Sequence, residues 1–343
     1  MYDVITVGSA TVDVFAHTDK SELISLSGAL GKEDFLAYPS GSKIIINRLM
    51  FTIGGGGTNT ATCLRRLGLS TGYVGVIGDD ENGSQIQSFL RKEKIDFLGV
   101  VGKEMTGYSI ILDSLAHDRT ILTYKGCNDR GSFSRLKASR LKTSWFYFAS
   151  MMGSSLDMLK DLAVHAAKNR SRICFNPSQY LVCLGKKKIQ PLLDASHILV
   201  LNREEAQTLL DGEGFKTERP IEHLLRKLQE TVPLVVITDG PGGAWATDGH
   251  HLYHAVAHRF KIVESTGAGD AFASTFLAGI IKKGDLEHAL RLAVTNAESV
   301  LEHHGAKNKL LSWSVLLRRM KKRPVNIIRK KMPSLPLPSE RHR

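Results

Sequence analysis

Apolar positions along the chain fall into two alternating patterns. Short, nearly continuous apolar runs such as Val4–Gly8, Trp145–Ala149 and Leu234–Thr238 are typical of strands that are buried on both faces. Between the later runs, apolar residues recur at helical spacing, for example around 155–168 and 220–230. The alternation predicts an α/β fold in which helices cover both faces of a mostly parallel sheet.

Two parts of the pattern do not fit this layer. Tyr108–Leu112 and Thr120–Tyr124 are β-rich and close enough in sequence to form a hairpin. The polar stretch 17–43 contains several glycines and is predicted to be an insertion or loop. We therefore expect a small second β element, built from strands within about 10–55 and 106–125.

The net charge is +12, and hydrophobic residues make up 42% of the chain, enough for a large core. A strong basic excess is typical of proteins that bind nucleic acid. However, residues 318–343 carry a net +9 and four prolines, which leaves +3 for everything before them. The sequence predicts one domain over 1–318 and a basic, disordered tail over 319–343, without specific nucleic-acid recognition.

The N-terminus and the cysteines indicate where the protein works. The first residues are not typical of a signal peptide, because no basic segment precedes an apolar run and no small-residue cleavage site follows it. They resemble a first β-strand instead. No apolar run is long enough to span a membrane. The four cysteines form no CxxC pair, which argues against a disulfide framework. We expect a cytoplasmic protein without membrane contact.

The segment with the clearest chemistry is Gly267-Ala268-Gly269-Asp270, which leads into an apolar helix over 273–281. The backbone N–H groups at a helix start are free and, together with the helix dipole, bind anions. Small residues let a phosphate approach the backbone closely. Asp270 beside such a hole could accept a proton from an attacking hydroxyl. The alternative interpretation is an ordinary helix start whose carboxylate only favours the dipole.

Three further segments carry polar or glycine-rich patterns. The glycine run over 54–59 lacks the spacing of a dinucleotide fingerprint and could admit a small polar ligand or form a turn. Thr238–Gly243 follows a strand, where α/β sheets bind ligands. Asn202–Glu205 could hold a hydrated Mg²⁺ or form a capping box.

In this order, these segments resemble the signatures of the PfkB, or ribokinase-like, carbohydrate kinases. The residues over 54–59 resemble GGxGxN, 75–80 resemble GxxGxD, 202–205 resemble NxxE, and 265–272 resemble TTGAGDAF. The resemblance covers roughly residues 1–310. It implies a ribokinase-like three-layer α/β/α sandwich with a mostly parallel central sheet and a small β lid. It also implies an ATP-dependent kinase that transfers the γ-phosphoryl group to a hydroxymethyl group of a sugar or sugar-like substrate.

The resemblance also implies residue roles. Asp270 would be the base, with an anion hole made by the N–H groups of Gly267, Ala268 and Gly269. The positions that match substrate contacts are Asp13, Gly55, Gly56 and Asn59. The positions that match nucleotide contacts are Asn202, Thr238, Gly240, Gly243 and Asn296. Glu205 would hold Mg²⁺ through water.

Two alternatives stay open from the sequence. The same fold serves nucleoside kinases of the adenosine type, and a non-catalytic sugar- or nucleotide-binding regulator would share the fold as well. ATP and Mg²⁺ are the implied cofactors. Glu264 stands where many members carry Asp beside a cation loop, so the use of a monovalent cation is left open. Many relatives pair through the lid strands, which makes a homodimer an expectation.

Overall fold

The computed structural model describes residues 1–28, 31–113, 119–215, 217–303 and 307–332. Its strands are β1 (Tyr2–Val7), β2 (Thr11–His17), β3 (Glu22–Gly28), β4 (Gly31–Ala37), β5 (Arg48–Gly54), β6 (Thr71–Val74), β7 (Val76–Gly78), β8 (Asp96–Phe97), β9 (Val100–Gly102), β10 (Gly107–Asp113), β11 (Arg119–Tyr124), β12 (Thr143–Phe148), β13 (Arg172–Phe175), β14 (Ile198–Asn202), β15 (Leu234–Thr238), β16 (Ala244–Thr247), β17 (His251–Ala255) and β18 (Ile327–Lys331). Its helices are α1 (Gly56–Arg66), α2 (Glu81–Lys92), α3 (Ser154–Lys168), α4 (Gln179–Val182), α5 (Lys186–Ala195), α6 (Arg203–Asp211), α7 (Ile221–Gln229), α8 (Ala268–Lys283), α9 (Leu286–Leu301) and α10 (Trp313–Lys322).

The central sheet has ten strands in the order β18-β17-β16-β15-β14-β13-β12-β1-β6-β8. From β15 to β8 all neighbours are parallel, and β16, β17 and β18 continue the sheet in antiparallel fashion. The carboxyl ends of the parallel strands therefore meet at one edge of the sheet, which is where α/β proteins bind ligands.

Side chains of β12 show how the sheet is covered on both faces. Phe146 and Phe148 pack on one side with Leu159 of α3. Tyr147, which points the other way, packs with Phe276 of α8. Each such fully buried side chain contributes about 1.5–3 kcal/mol of transfer free energy. The predicted α/β sandwich with a mostly parallel sheet is thus confirmed.

A second sheet, which we call the lid sheet, has four strands in the order β11-β10-β2-β5. Strand β2 follows β1 directly and pairs in parallel with β10 and in antiparallel with β5. The lid sheet therefore extends from the carboxyl end of β1, at the ligand-binding edge of the central sheet. Its strands lie in the two sequence regions from which a small β element was expected. Residues 114–118 lie outside the described residues.

The stretch 17–43 is more regular than its composition indicated. Strands β3 and β4 form an antiparallel hairpin with Leu23 opposite Leu36 and Ile24 opposite Phe35. Leu23, Ile24 and Phe35 are each 45–46% exposed. A two-stranded ribbon has no buried layer to impose a clean alternation of apolar and polar residues, so the pattern did not reveal it.

The expectation of a disordered tail from 319 is wrong for residues 319–332. Helix α10 ends at Lys322, and β18 pairs with β17 at the edge of the central sheet. Val325 and Met332 on either side of β18 are buried, whereas Arg329, Lys330 and Lys331 are exposed. Lysines on an edge strand discourage pairing with other chains, so a basic composition is compatible with a strand here. Residues 333–343 lie outside the described residues.

The cysteines are free thiols, and Cys63, Cys127 and Cys174 are buried. Burial raises the pKa of Cys127 to about 11, which keeps it in the unreactive thiol form. Among the helices of the described ranges, none has the length and apolar character that a bilayer span requires.

Candidate active site

A cavity of about 390 Å³ lies at the carboxyl ends of the central strands. Ser9 follows β1, Ala149 follows β12 and Asn176 follows β13, and all three line it. Asn202 and Thr238, the last residues of β14 and β15, line the side farther along the sheet. The position is the one that parallel-sheet proteins use for ligands.

The start of α8 forms one wall of this cavity. Gly267 caps the helix in the left-handed conformation, with φ of 78°, and both Gly267 and Gly269 line the cavity. A Cβ added at Gly269 would meet nothing within 4 Å, so its backbone faces open space. The N–H of Ala268 donates to Ser265 O at 3.3 Å, a long contact that an incoming anion can replace. The predicted anion hole is therefore brought to the cavity wall.

Asp270 lies in the first turn of α8 and faces the same cavity. One of its carboxylate oxygens, Oδ2, accepts a hydrogen bond from Asn59 Nδ2 at 2.8 Å. Burial raises the pKa of Asp270, and the Asn59 hydrogen bond and the Lys307 ammonium act against that rise. A carboxylate with a raised pKa is a stronger proton acceptor, as general base catalysis requires.

Lys307 contacts the candidate site residue Asn59, and sequence reasoning missed it. Its Nζ donates to Asn59 Oδ1 and to the backbone oxygen of Ile53. Burial lowers its pKa to about 8, and the carboxylates of Asp13 and Asp270 act in the opposite direction by raising it. Lys307 belongs to none of the recognised motifs and reaches the site from the segment after α9, so no local signal in the sequence could have found it.

The glycine run over 54–59 brings α1 against the ends of β1 and β2. A Cβ at Gly54 would lie 1.7 Å from Asp13 Oδ2, and one at Gly55 would lie 2.4 Å from Ser9 O. Gly55 also has a φ of 93°, which L side chains rarely adopt. Gly56 lines the cavity. Glycine is required here because the backbone passes directly over Asp13, which thereby lies beside the residues that lead into α1, the helix that carries Asn59.

Asn202 and Glu205 form a capping box and also line the cavity. Asn202 Oδ1 accepts from the Glu205 N–H at 2.7 Å, and Glu205 Oε2 accepts from the Asn202 N–H at 2.8 Å. Burial raises the pKa of Glu205 to about 7. The two interpretations of this segment are therefore compatible, because a carboxylate that caps α6 still faces the cavity.

Thr238 lines the cavity, and the turn that follows it contains two of the predicted glycines. Gly240 begins a 3-10 turn over Gly240–Gly242, and Gly243 follows it with a φ of 86°. A Cβ at Gly243 would lie 2.1 Å from Ala255 O, so this glycine is needed for the packing of β16 on β17.

Asn296 does not reach the cavity. Its side chain on α9 is fully buried, with Nδ2 donating to Thr275 Oγ1 at 2.8 Å and Oδ1 accepting from the Leu311 N–H at 3.1 Å. Its amide is thus satisfied inside the protein and joins α8, α9 and the segment before α10. The structure places this residue in the core, away from the described lining of the cavity.

Charged groups make the cavity acidic. Among its described lining residues, Asp129, Glu205 and Asp270 are acidic and Lys125 is basic. The Lys125 ammonium lies 4.1 Å from the centre of the Tyr180 ring, and burial lowers its pKa. An acidic cavity repels a bare polyphosphate. Among the described residues, however, no three or more His, Cys, Asp or Glu side chains are grouped so that they could hold a metal ion directly.

Comparisons with known proteins show the family of the chain. The pfkB family carbohydrate kinase domain matches residues 3–313. An uncharacterised sugar kinase of Archaeoglobus fulgidus is 27% identical and aligns over 72% of this chain and 97% of its own. The 5-dehydro-2-deoxygluconokinase of Bacillus subtilis is 25% identical and aligns over 75% of this chain and 83% of its own.

Solved structures share the fold at lower sequence identity. The nucleoside kinase of Methanocaldococcus jannaschii superposes with a TM-score of 0.73 at 20% identity, covering 93% of this chain and 98% of that one. An E. coli protein described as a ribokinase II in complex with ATP and Mg²⁺ superposes with a TM-score of 0.75 at 19% identity, covering 94% and 100% of the two chains.

Proposed function

The chain belongs to the pfkB family of carbohydrate kinases, and we propose that Asp270 is the base that activates the acceptor hydroxyl. The family and the sugar kinases among its relatives make the protein an ATP-dependent carbohydrate kinase. The observation that carries the role of Asp270 is its place in the first turn of α8, facing the cavity beside Gly267 and Gly269.

The proposed step is an in-line transfer. The acceptor hydroxyl gives its proton to the Asp270 carboxylate while its oxygen forms a bond to the γ-phosphorus of ATP. The bond between that phosphorus and the β–γ bridging oxygen breaks, and ADP leaves with the electron pair. Free N–H groups at the start of α8 and the helix dipole stabilise the charge on the transferring group.

For the nucleotide, we assign the phosphates to the side of the cavity formed by Asn202, Thr238 and the turn at Gly240 and Gly243. Glu205 would hold Mg²⁺ through a water molecule. The acidic lining of the cavity supports a cation here, as does the ATP and Mg²⁺ complex of the E. coli relative. When bound, Mg²⁺ neutralises phosphate charge. Asn296 is left out of this assignment because its amide is used inside the core.

For the acceptor, we assign its hydroxyls to Asp13, Asn59 and the backbone at Gly55 and Gly56. Asp13 Oδ1 already accepts from Thr11 Oγ1 at 2.7 Å, which holds the carboxylate in place. We further propose that the acceptor is a sugar acid, since Lys125 supplies a cation in the cavity that Gly56 and Asp270 line. Curated relatives named 5-dehydro-2-deoxygluconokinase support this choice. The fold of the Methanocaldococcus nucleoside kinase keeps a nucleoside as the second candidate.

The lid sheet would close over the acceptor and exclude water, which competes for the phosphoryl group. Leu49, Phe51, Leu122 and Tyr124 of this sheet are 50–60% exposed. An exposed apolar sheet face of this kind supports pairing with a second copy through the lid strands.

The test is a coupled assay of ADP release with pentoses, hexoses, phosphorylated hexoses, keto-deoxy sugar acids and nucleosides. We expect turnover with at least one sugar or sugar acid, loss of activity with EDTA, and a fall in kcat of about 100-fold or more in Asp270→Asn.

The acceptor class is tested with Lys125→Met, which should raise the KM of a sugar acid about tenfold and leave the KM of a neutral sugar unchanged. Turnover of nucleosides alone would favour the second candidate. Equal ADP release by wild type and Asp270→Asn would contradict the base, and the absence of turnover on the whole panel would indicate a non-catalytic regulator.

A further inference from the structure

Lys307 is anchored through its backbone as well as its side chain. Arg66, in the last turn of α1, donates from Nη1 to Lys307 O at 3.0 Å. The same guanidinium forms a bidentate pair with Glu93, at 3.1 Å from Nε and 2.5 Å from Nη2. A bidentate pair fixes the plane of a guanidinium. The segment that carries Lys307 is therefore held against α1, the helix that also carries Asn59.

The side chain of Lys307 is enclosed by three elements. Its ammonium group donates to Ile53 O on β5 and to Asn59 Oδ1 on α1, and it lies 5.5 Å from the centre of the Phe89 ring on α2. A partly buried ammonium loses hydration, which is costly unless specific partners replace the water. The contacts thus select one position of Nζ, beside the amide oxygen of Asn59.

The contact with Lys307 determines which way the Asn59 amide points. An ammonium group can only donate, so it requires the amide oxygen on its side. The carboxylate of Asp270 can only accept when it is ionised, so it requires the amide nitrogen on its side. With the amide reversed, two donors would face each other at Lys307 and two acceptors at Asp270. The three residues form one polarised chain from ammonium to amide to carboxylate.

We propose that Lys307 is a positioning residue for phosphoryl transfer: it fixes the amide of Asn59, which in turn orients the Asp270 carboxylate and keeps it ionised. The inference rests on the proposed role of Asp270 as the base. It adds a residue that no family motif contains and that touches the reacting carboxylate only through Asn59.

The charges around Lys307 support this role. Asp13 on β2 and Asp270 on α8 favour its charged form, as does Glu93 after α2, whereas Arg66 on α1 opposes it. Without the ammonium, the carboxylates of Asp13 and Asp270 would lose the cation that both of them face. Because the pKa of Lys307 is about 8, its charge is present at neutral pH and is lost as the pH rises above that value.

The test compares Lys307→Met with Lys307→Arg and with Lys309→Met, an exposed lysine of the same segment. In Lys307→Met, we expect the acidic limb of the kcat–pH profile to move up by about one pH unit, because the pKa of Asp270 loses the influence that lowers it. On the plateau above the acidic limb, kcat should also fall about tenfold, because the Asp270 carboxylate loses its fixed orientation, with the KM for ATP within about twofold of wild type. Lys307→Arg and Lys309→Met should keep the wild-type acidic limb. An unmoved limb in Lys307→Met, or an effect confined to the KM of the acceptor, would overturn the inference.

A second measurement does not depend on turnover. The carboxyl ¹³C resonance of Asp270 can be titrated by NMR in the free protein, assigned through Asp270→Asn. We expect a higher midpoint in Lys307→Met than in wild type and the wild-type midpoint in Lys307→Arg. If Lys307→Met does not fold, a raised midpoint in the charge-retaining Lys307→Arg overturns the inference and a wild-type midpoint supports it. Full activity of Asp270→Asn would overturn the proposed base, whereas an unchanged midpoint in a folded Lys307→Met would overturn this inference alone.

Discussion

At the scale of single residues, two of the three asparagines assigned from the family resemblance, Asn59 and Asn296, have different surroundings. The Asn59 amide has a charged group on each side: the Lys307 ammonium at its oxygen and the Asp270 carboxylate at its nitrogen. Asn296 is buried between helices and bonds to Thr275 and to the Leu311 backbone. The same side chain therefore bridges an ammonium and a carboxylate in one place and joins three segments of the core in the other.

This difference predicts the behaviour of Asn296→Ala. The change leaves the Leu311 N–H and the Thr275 hydroxyl without their partner in a buried place, which should cost about 1–3 kcal/mol in the free energy of unfolding. The KM for ATP should stay within about twofold of wild type. Urea unfolding and steady-state kinetics measure the two effects. Thr275→Val is the matched control, because it removes one partner of the same buried network.

A large rise in the KM for ATP in Asn296→Ala, with unchanged stability, would contradict the assignment to the core. The same result in Thr275→Val would point to a shift of α8 instead of a lost nucleotide contact, because Thr275 lies on that helix.

Most of the candidate site could be predicted from motifs, and the exceptions have a physical cause. Asp270, Gly269 and Asn202 lie next to strand ends or helix starts, so local sequence determines their place. Lys307 and Asn296 depend on how α9 and the segment after it pack. A one-residue rotation on a helix moves a side chain by 100°, so register decides whether it faces a ligand or the core.

At the scale of elements, Asp80 joins the central layer to the base of the lid sheet. Its Oδ1 accepts from the Gly83 N–H at 2.7 Å, which caps α2, and from Thr106 Oγ1 at 2.6 Å. Its Oδ2 accepts from the Thr106 N–H at 2.8 Å. Thr106 Oγ1 also accepts from the Gly78 N–H. Since Thr106 precedes β10, one carboxylate positions the start of a lid strand.

We therefore expect Asp80→Asn to lower the free energy of unfolding by about 2 kcal/mol at pH 7, since an amide offers one acceptor where three donors converge. Burial alone would raise the pKa of Asp80, but the hydrogen bonds from Thr106 and Gly83 lower it overall. The stabilisation is therefore present above the unfolded pKa of about 3.9 and is lost as the pH falls through the lower folded pKa.

Urea unfolding of wild type and Asp80→Asn from pH 7 down to pH 3 measures this dependence. The difference between the two should be constant at neutral pH and should shrink below about pH 4. Asp79→Asn, an exposed neighbour, is the control and should match wild type. A difference that grows toward low pH would contradict the lowered pKa of Asp80.

Elements with a strong period were predictable, and elements that depend on long-range pairing were not. The runs that became β12 and β15 are apolar throughout because both of their faces are covered. Hairpin β3–β4 is exposed, and β18 consists largely of lysine, arginine and isoleucine. Such strands are determined by a partner strand, as β18 is by β17, and not by their own pattern.

At the scale of the whole molecule, the C-terminal segment completes the central sheet and covers one face of it. Leu316 of α10 and Val325 belong to the cluster that contains Phe276 of α8. Arg319 also bonds to Glu302 at 2.7 Å, next to the end of α9. Helix α8 carries Asp270, so the segment supports the helix to which we assign the base and the anion hole. Its basic side chains add to the net charge without approaching the cavity, whose lining is acidic.

Truncation separates the part of the basic segment that belongs to the fold from the rest. A chain ending at Met332 keeps β18 and the buried residues around it, and it should retain the wild-type melting temperature and kcat. A chain ending at Lys322 loses β18 together with the buried Val325 and Met332. Burial of these two side chains contributes about 3–6 kcal/mol, which corresponds to a fall in Tm of about 10 °C. Differential scanning calorimetry and the ADP-release assay measure both chains.

Equal Tm values for the two truncated chains would show that the pairing of β18 with β17 contributes nothing measurable to the stability of the sheet. A loss of kcat in the chain ending at Met332 would instead assign residues 333–343 to the catalytic cycle.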